Sequence, residues 1–184
     1  MRLYFHANFS KLVQTFLTAK LNESHLDIKR IGNHEIQLDE TVCKEKVAQL
    51  ISELSGFGFD FIDNPKEILT ERMKELIQEW MTDQNSFYSK RISVYLNEKL
   101  NHHYSYLSAV FSETAQISIE HYVILRKIEL AKAYYVNQNL TLTEISYLLN
   151  YSSVSHLSSQ FKKTVGLTPK AFKSIVQKKR MNNK

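Results

Sequence analysis

The spacing of apolar residues changes character once along the chain, at Asn64-Pro65. Before this point, short alternating stretches that predict strands lie at residues 3–5, 26–28, 36–38 and 57–61. Helical spacing follows Ser10 and again Asp39, and each of these residues is a suitable helix N-cap. The resulting order, βαββαβ, predicts a ferredoxin-like domain over residues 1–63, in which two helices cover one face of a small sheet.

After Asn64-Pro65 the apolar residues recur at helical spacing almost to the end of the chain. The pattern predicts seven helices, at about residues 66–81, 89–100, 103–115, 118–136, 142–149, 153–164 and 169–178. We therefore expect an all-α domain over residues 65–178, followed by a basic tail at 179–184. The predicted fold class is α+β, with the ferredoxin-like domain preceding two helix-turn-helix units joined by a long helix.

The helical part contains an internal repeat. The stretch SYLSAVFSET at residues 105–114 matches SHLSSQFKKT at residues 155–164 at five of ten positions, where ordinary composition gives about one. A predicted helix and a short turn precede each copy, so each copy has the order helix, turn, helix. The helix at 118–136 joins them and spans about 28 Å, against about 34 Å between successive major-groove entries on one face of DNA.

The second helix of each copy has an apolar face and a face of small polar groups. Leu157 and Phe161 are four residues apart, so they share the inner face. Small outward side chains allow close approach to base edges, and cations beside them suit phosphates. The predicted base contacts are Ser105, Tyr106, Ser108, Ala109, Ser152, Ser155, His156 and Ser159. The predicted phosphate contacts are Lys162, Lys163, Lys170 and Lys173.

The charge is distributed unevenly along the chain. Residues 90–184 carry 14 Lys and Arg against 5 Asp and Glu, whereas residues 1–89 carry 10 against 14. A basic half that contains two related helix-turn-helix units favours double-stranded DNA as the partner.

The residues of the second copy resemble a known family pattern. They are Ile145-Ser146, Asn150-Tyr151, Leu157, Phe161-Lys162, Gly166, Thr168-Pro169 and Phe172-Lys173. In this register, about residues 66–176 resemble the DNA-binding domain of the AraC/XylS family of bacterial transcription regulators. The resemblance implies a sequence-specific DNA-binding regulator, with recognition helices at about 103–115 and 153–164 in successive major grooves.

The chain departs from the family pattern at five positions. Asn150 and Gln116 replace usual glycines, and Lys127 replaces a usual arginine. Ala109 and Ser159 stand where many members have arginine or another long polar residue. Without those arginines, specificity would depend on His156, Tyr106, serines and DNA shape.

The predicted βαββαβ unit resembles heavy-metal-associated domains, but it lacks their Cys-x-x-Cys. The corresponding loop begins at His6 and contains no cysteine, and the single cysteine, Cys43, lies elsewhere. We therefore expect no metal site and no cofactor. The unit is expected to serve as a dimerisation surface, with a homodimer formed through residues 1–63, or as a sensor of an unknown effector.

Two other classes of protein are weighed against a DNA-binding regulator. An enzyme is disfavoured because no phosphate-binding glycine motif or zinc-protease motif is complete. The alternative left open is a ligand- or metal-sensing, protein-interaction module whose helical domain binds a protein, and salt-dependent binding would distinguish it from a DNA-binding protein. The chain has no apolar run of about 18 residues that would span a membrane, and we expect it to be cytoplasmic.

Overall fold

The computed structural model describes residues 9–24, 26–31, 35–83, 87 and 89–182. The chain divides into two compact units, Met1–Asp63 and Asn64–Lys184. None of the helices in the described ranges combines the length and apolar character needed to cross a bilayer.

The first unit contains a β-hairpin between two helices. Its elements are α1 (Phe9–Glu23), β1 (Ile28–Ile31), β2 (Ile36–Leu38) and α2 (Lys44–Gly56). The strands are antiparallel, with Ile31 opposite Ile36, as the alternation predicted. The side chain of Asp39 accepts the amide hydrogen of Thr41, so α2 begins after this turn rather than at Asp39. The core of this first unit consists of Leu17, Leu21, Leu50 and Leu54.

The prediction of a ferredoxin-like βαββαβ domain is wrong. In the described residues the sheet has two strands, and the predicted first strand lies outside those residues. Residues 57–61 form no strand, because the amides of Phe57 and Phe59 donate to the carbonyl of Leu54 and close the end of α2. The alternation of phenylalanines arises instead because Phe59 stacks on Phe16, with 5.9 Å between ring centroids. The resemblance to heavy-metal-associated domains therefore has no support.

The second unit is helical, and its seven predicted helices are confirmed with small shifts at their ends. They are α3 (Pro65–Thr82), α4 (Ile92–Leu100), α5 (Tyr104–Ala115), α6 (Ile119–Asn137), α7 (Leu142–Leu148), α8 (Val154–Val165) and α9 (Pro169–Asn182). Asn64 caps α3 by accepting the amide hydrogen of Lys66, and Pro65 occupies the first helical position, where no backbone donor is needed.

Two separate cores lie along the long helix α6. Val123, in its first half, belongs to a core with Leu107 and Phe111 of α5. Ile128, in its second half, belongs to a core with Leu157 and Phe161 of α8. All four of these α5 and α8 side chains are fully buried. Helix α6 thus forms part of both helix-turn-helix units, as well as connecting them.

Candidate nucleic-acid interface

The two helix-turn-helix copies superpose in sequence at an offset of 50 residues, and their helix ends are equivalent. The residue that follows α5, Gln116, has φ 58°, and the residue that follows α8, Gly166, has φ 79°. The next helices begin alike, since Ser118 accepts the amide hydrogen of His121 and Thr168 accepts that of Ala171. The internal repeat is therefore a repeat of backbone conformation as well as of sequence.

Equivalent aromatic pairs hold each repeated helix against the helix that follows it. The rings of Phe111 and Tyr122 are 5.5 Å apart, at 59° between their planes. The rings of Phe161 and Phe172 are 5.6 Å apart, at 65°. Tilted and edge-to-face pairs of this kind stabilise packing beyond simple burial. They fix the inner faces of α5 and α8, so the opposite faces of both helices point outward.

The turns between the helices of each copy differ in length by two residues, since residues 101–103 separate α4 from α5 and residues 149–153 separate α7 from α8. Each contains an asparagine in the left-handed conformation, Asn101 at φ 52° and Asn150 at φ 51°, which asparagine adopts more readily than most residues. Two residues separate Asn101 from α5, whereas three separate Asn150 from α8. The longer second turn contains Tyr151, whose ring packs against the second core.

The predicted base-contacting residues lie where the sequence predicted, on the outer faces. Tyr106 is 48% exposed, and Ser108 is partly buried at the margin of α5. The exposed members are Ser105, Tyr106, Ala109, Ser152, Ser155, His156 and Ser159. Both sets lie in the first two turns of their helices or just before them, which are the parts that contact bases in helix-turn-helix proteins.

His156 is held in place by two neighbouring side chains. Its Nδ1 is 3.0 Å from Oγ of Ser152, and Tyr151 meets the imidazole edge-to-face with 5.3 Å between ring centroids. Because Ser152 occupies Nδ1, Nε2 is the ring nitrogen that can face a base. In the first copy, Tyr106 meets the ring of His102, also four residues earlier, at 5.2 Å. The imidazole is thus oriented before any ligand binds.

The four predicted phosphate contacts have different surroundings. Lys162, Lys163 and Lys170 are exposed, and the first two lie in the last turn of α8. Lys173 is partly buried, with its Nζ 4.3 Å above the ring of Tyr135. Within the described ranges, a ring contact is thus found for the ammonium group of Lys173 and not for the other three.

A cluster at Lys127 was not predicted as functional. The Nζ of Lys127, in α6, lies 5.0 Å from the ring centroid of Phe87 and 5.1 Å from that of Tyr151. Burial lowers the pKa of the Lys127 ammonium to about 8. Burial also raises the pKa of Tyr151 to about 12, and among the described residues the Tyr151 hydroxyl has no hydrogen-bond partner. The signal in the sequence was the lysine at a position where the family resemblance expects arginine.

A second contact ties the start of α5 to α6. The hydroxyl of Tyr104 donates to Oε1 of Glu120 at 2.5 Å. This bond lowers the pKa of the Glu120 carboxyl, whereas burial, together with the same bond, raises the pKa of Tyr104. The first recognition helix is therefore attached to α6 at its N-terminal end by a polar contact and in its middle by apolar packing.

The side chains that could bind a metal ion are His, Cys, Asp and Glu. Within the described ranges, no three or more His, Cys, Asp or Glu side chains lie together in a way that could hold a metal ion. His6 lies outside those ranges, and Cys43 is exposed.

Comparison with known proteins identifies the helical unit. A family profile described as a helix-turn-helix domain matches residues 96–175. Over 99 residues the chain is 30% identical to the uncharacterised HTH-type transcriptional regulator YdiP of Escherichia coli K12, a match that covers 53% of this chain and 33% of that protein's length. The chain thus corresponds to about a third of that curated relative.

The helical fold recurs in the C-terminal domain of AraT, a response regulator of Geobacillus stearothermophilus. That similarity has a TM-score of 0.52 at 23% identity and covers 61% of this chain and 86% of the other. The C-terminal domain of the response regulator yesN of Fusobacterium nucleatum is 29% identical, with a TM-score of 0.47, and covers 55% and 98% of the two chains.

The curated relative carries the name of an HTH-type transcriptional regulator, and the family profile describes a helix-turn-helix domain. The matched residues contain both copies of the repeat and the helix between them. Residues 96–175 therefore match a helix-turn-helix domain, and the match spans both copies of the repeat.

Proposed function

We propose that this chain regulates transcription by placing α5 and α8 in successive major grooves of one duplex. The observation that supports this most strongly is the equivalence of the two helices. Their first and last positions, the left-handed residues that follow them and the buried pairs Leu107/Leu157 and Phe111/Phe161 match at an offset of 50 residues. Two equivalent helices with outward polar faces are suited to two equivalent sites on DNA.

The length of α6 supports this arrangement. It has 19 residues, which corresponds to about 28 Å, and successive major-groove entries are about 34 Å apart. Bending of the duplex toward the protein would make up the difference. The two cores along α6 hold both units on one rigid helix, so a single chain suffices to contact both grooves.

Within this proposal, His156 and Tyr106 make the principal side-chain contacts with base edges. Both are exposed near the start of their helices, and Ser152 leaves Nε2 of His156 free for a base. The serines and Ala109 contribute small contacts and close approach. Since Ala109 and Ser159 cannot make the bidentate contact of arginine with guanine, part of the specificity comes from the shape and stiffness of the duplex.

The proposed phosphate contacts are Lys162, Lys163, Lys170 and Lys173. The ammonium groups of the first three are exposed and can reach the DNA backbone. Such contacts strengthen binding to every sequence and make it depend steeply on salt.

Residues 1–63 are proposed to have a regulatory or dimerising role. Exposed apolar side chains in this unit include Leu12 and Phe57, both 57% exposed. Large apolar groups on a surface are typical of protein contacts. Because the regulator acts on chromosomal DNA, the proposal locates it in the bacterial cytoplasm.

The test is selection of bound duplexes from a random DNA library at near-physiological salt, followed by binding at several salt concentrations. The expected result is two short motifs about one helical turn apart, with affinity that falls steeply as salt rises. Selection of one motif would indicate that a single helix-turn-helix unit contacts bases. Binding that is absent, or that ignores salt and sequence, would contradict the proposal and favour a protein partner for the helical unit.

A further inference from the structure

The cluster formed by Phe87, Lys127 and Tyr151 joins the two helix-turn-helix units beside the long helix. Phe87 belongs to the first core, where its ring meets Trp80 edge-to-face at 4.7 Å. Tyr151 belongs to the turn of the second helix-turn-helix unit and packs against the second core. Lys127 lies between the two rings. One side chain of α6 therefore contacts a residue from each unit.

A hydrogen bond crosses the same boundary. The side-chain amide of Asn150 donates to the carbonyl of Phe87 at 3.4 Å. Asn150 is also the left-handed residue of the second turn, so its position depends on the conformation of that turn. The second turn is thus joined to Phe87 by a backbone contact and by the stacked cation.

The contacts of Lys127 are specific to its chemistry. Ring faces attract a cation within about 6 Å of their centroids, and both distances are shorter than this. Burial opposes the charge, as the lowered pKa shows, and within the described residues no carboxylate pairs with this ammonium. The rings are therefore the groups that stabilise the cation, and moving either ring away would weaken its environment.

The cluster is also connected to the base-contacting face. Tyr151 contacts Lys127 with its ring face and contacts the imidazole of His156 edge-to-face. A change in the position of Tyr151 would move the second helix-turn-helix unit relative to the first one. It would also alter the orientation of His156.

We infer that Lys127 is a positioning residue that fixes the second helix-turn-helix unit relative to the first, and thereby sets the spacing of DNA half-sites that the chain accepts. Helix α6 alone sets the separation of the units, while rotation of the α7–α8 pair about α6 is restrained by the Phe87, Lys127 and Tyr151 contacts. The part of this inference that concerns half-sites rests on the proposed function.

The first test measures geometry without DNA. Spin labels are placed at Ser112→Cys and Lys162→Cys, two exposed positions at the 50-residue offset, in a Cys43→Ser background. Pulsed electron resonance then gives the distribution of distances between α5 and α8. We expect Lys127→Met to broaden this distribution, and Lys127→Arg to keep it narrow, because a guanidinium also stacks on rings. An unchanged width in Lys127→Met overturns the inference, whatever the chain binds.

The second test measures half-site spacing. Duplexes carry both selected motifs at the preferred spacing or with one or two base pairs inserted or removed, and a further duplex carries one motif. Loosening the link between two binding modules lowers their effective concentration. We therefore expect Lys127→Met to lower the affinity for the duplex with the preferred spacing by about tenfold. The affinity for duplexes with altered spacing should fall less, and the affinity for the duplex with one motif should not change.

Two further variants control for unfolding and for loss of charge. Phe87→Leu keeps an apolar core residue but removes one ring face, and it should broaden the spacing preference as Lys127→Met does. Lys132→Met removes another lysine of α6 and should leave the preference unchanged. An equal loss for Lys127→Met on every duplex, including the single motif, overturns the inference in favour of a general stabilising role. Failure of the wild-type chain to select any motif contradicts the proposed function itself, and the spin-label distances remain a separate result.

Discussion

Tyr106 and His156 occupy the third position of equivalent helices, and each ring contacts the side chain four residues earlier. The partner of Tyr106 is His102, and the partner of His156 is Ser152. Both His102 and Ser152 lie in the turns that precede these helices, so the turn before each recognition helix orients an outward ring of that helix. Both units thus prepare one outward ring for contact in the same way, although the two rings differ in chemistry.

The outward imidazole leads to a prediction for specific binding. His156→Ala should weaken binding to the selected duplex more than binding to random duplex, by about 1–3 kcal/mol, because a base-edge contact distinguishes sequences. Competition between the two duplexes at fixed salt measures this difference. The control is His121→Ala, which removes another exposed histidine of the helical unit 64–184 and should leave both affinities unchanged. An equal loss on both duplexes would place His156 at the DNA backbone or in the fold.

The exposed lysines at the end of α8 lead to a prediction for salt dependence. Lys162→Ala and Lys163→Ala should each reduce the slope of log affinity against log salt by about 0.9, since each phosphate contact releases counterions from B-DNA. Titrations at several salt concentrations measure the slope. Lys46→Ala removes an exposed lysine of the first unit and serves as the control. A slope unchanged by both α8 variants would remove these lysines from the phosphate contacts.

The equivalent helix ends at Gln116 and Gly166 lead to a reciprocal prediction for stability. Both residues have positive φ, a conformation that disfavours residues other than glycine by about 1–2 kcal/mol. Gln116→Gly should raise the free energy of unfolding by up to about 1 kcal/mol, since it relieves this strain but loses the bond from Nε2 to the Glu113 carbonyl. Gly166→Gln should lower the free energy of unfolding by a similar amount.

Urea unfolding measures both changes, and Gln138 provides the matched control. Gln138 also follows a helix, but its φ is −102°, so Gln138→Gly relieves no strain and should not stabilise the chain. A gain at Gln138 equal to that at Gln116 would show that left-handed strain is not the cause.

The low pKa of Lys127 leads to a prediction for pH dependence. Its pKa is about 8 in the folded chain and 10.5 ordinarily, so between these values the unfolded chain binds more protons than the folded chain. The free energy of unfolding should therefore rise as the pH increases from 8 to 10, by about 1–2 kcal/mol after allowance for residual solvent and the ring contacts. Unfolding of wild type and Lys127→Met at each pH measures the difference.

In Lys127→Met this contribution should be absent, whereas Lys132→Met should retain it. If wild type and Lys127→Met show the same rise, other groups titrate in this range and Lys127 does not cause it.

The buried hydroxyl of Tyr151 leads to a prediction for the second turn. Tyr151→Phe keeps the ring beside Lys127 and His156 but removes a buried hydroxyl for which the described part of the chain offers no hydrogen-bond partner. Since an unsatisfied buried donor destabilises a fold by about 1–3 kcal/mol, the variant should be as stable as wild type or more stable by up to about 1 kcal/mol. Tyr151→Leu also removes the ring and should destabilise the chain. A loss in Tyr151→Phe similar to that in Tyr151→Leu would show that the hydroxyl has a stabilising partner.

Much of the helical unit could be predicted from the sequence because its determinants are local. Capping residues such as Thr141, whose hydroxyl and backbone amide both contact Glu144, mark helix starts within four residues of each other. The matches Leu107 with Leu157 and Phe111 with Phe161 identify the inner faces, because side chains four residues apart share a face. The outward residues follow by exclusion, and hence the candidate interface was accessible from the sequence.

The first unit shows where local pattern was insufficient. Alternating phenylalanines at 57, 59 and 61 predicted a strand, but strand formation requires a neighbouring strand with free backbone groups. Here the amides of Phe57 and Phe59 close the end of α2, and the alternation instead supports a ring contact with Phe16. Alternation of apolar residues indicates which side chains point to the same side of an extended segment. It does not show whether the backbone of that segment forms hydrogen bonds with a neighbouring strand.

The helices, the repeat and the chemistry of the outward faces could all be inferred from the sequence, since these depend on residues within one or two turns of each other. Only the tertiary structure brought Phe87, Lys127 and Tyr151 together, because these residues are separated by at least 24 positions along the chain. Their meeting depends on how α6 packs against both cores. The relative placement of the two recognition helices is therefore a property of the packed unit, which no single helix or turn specifies.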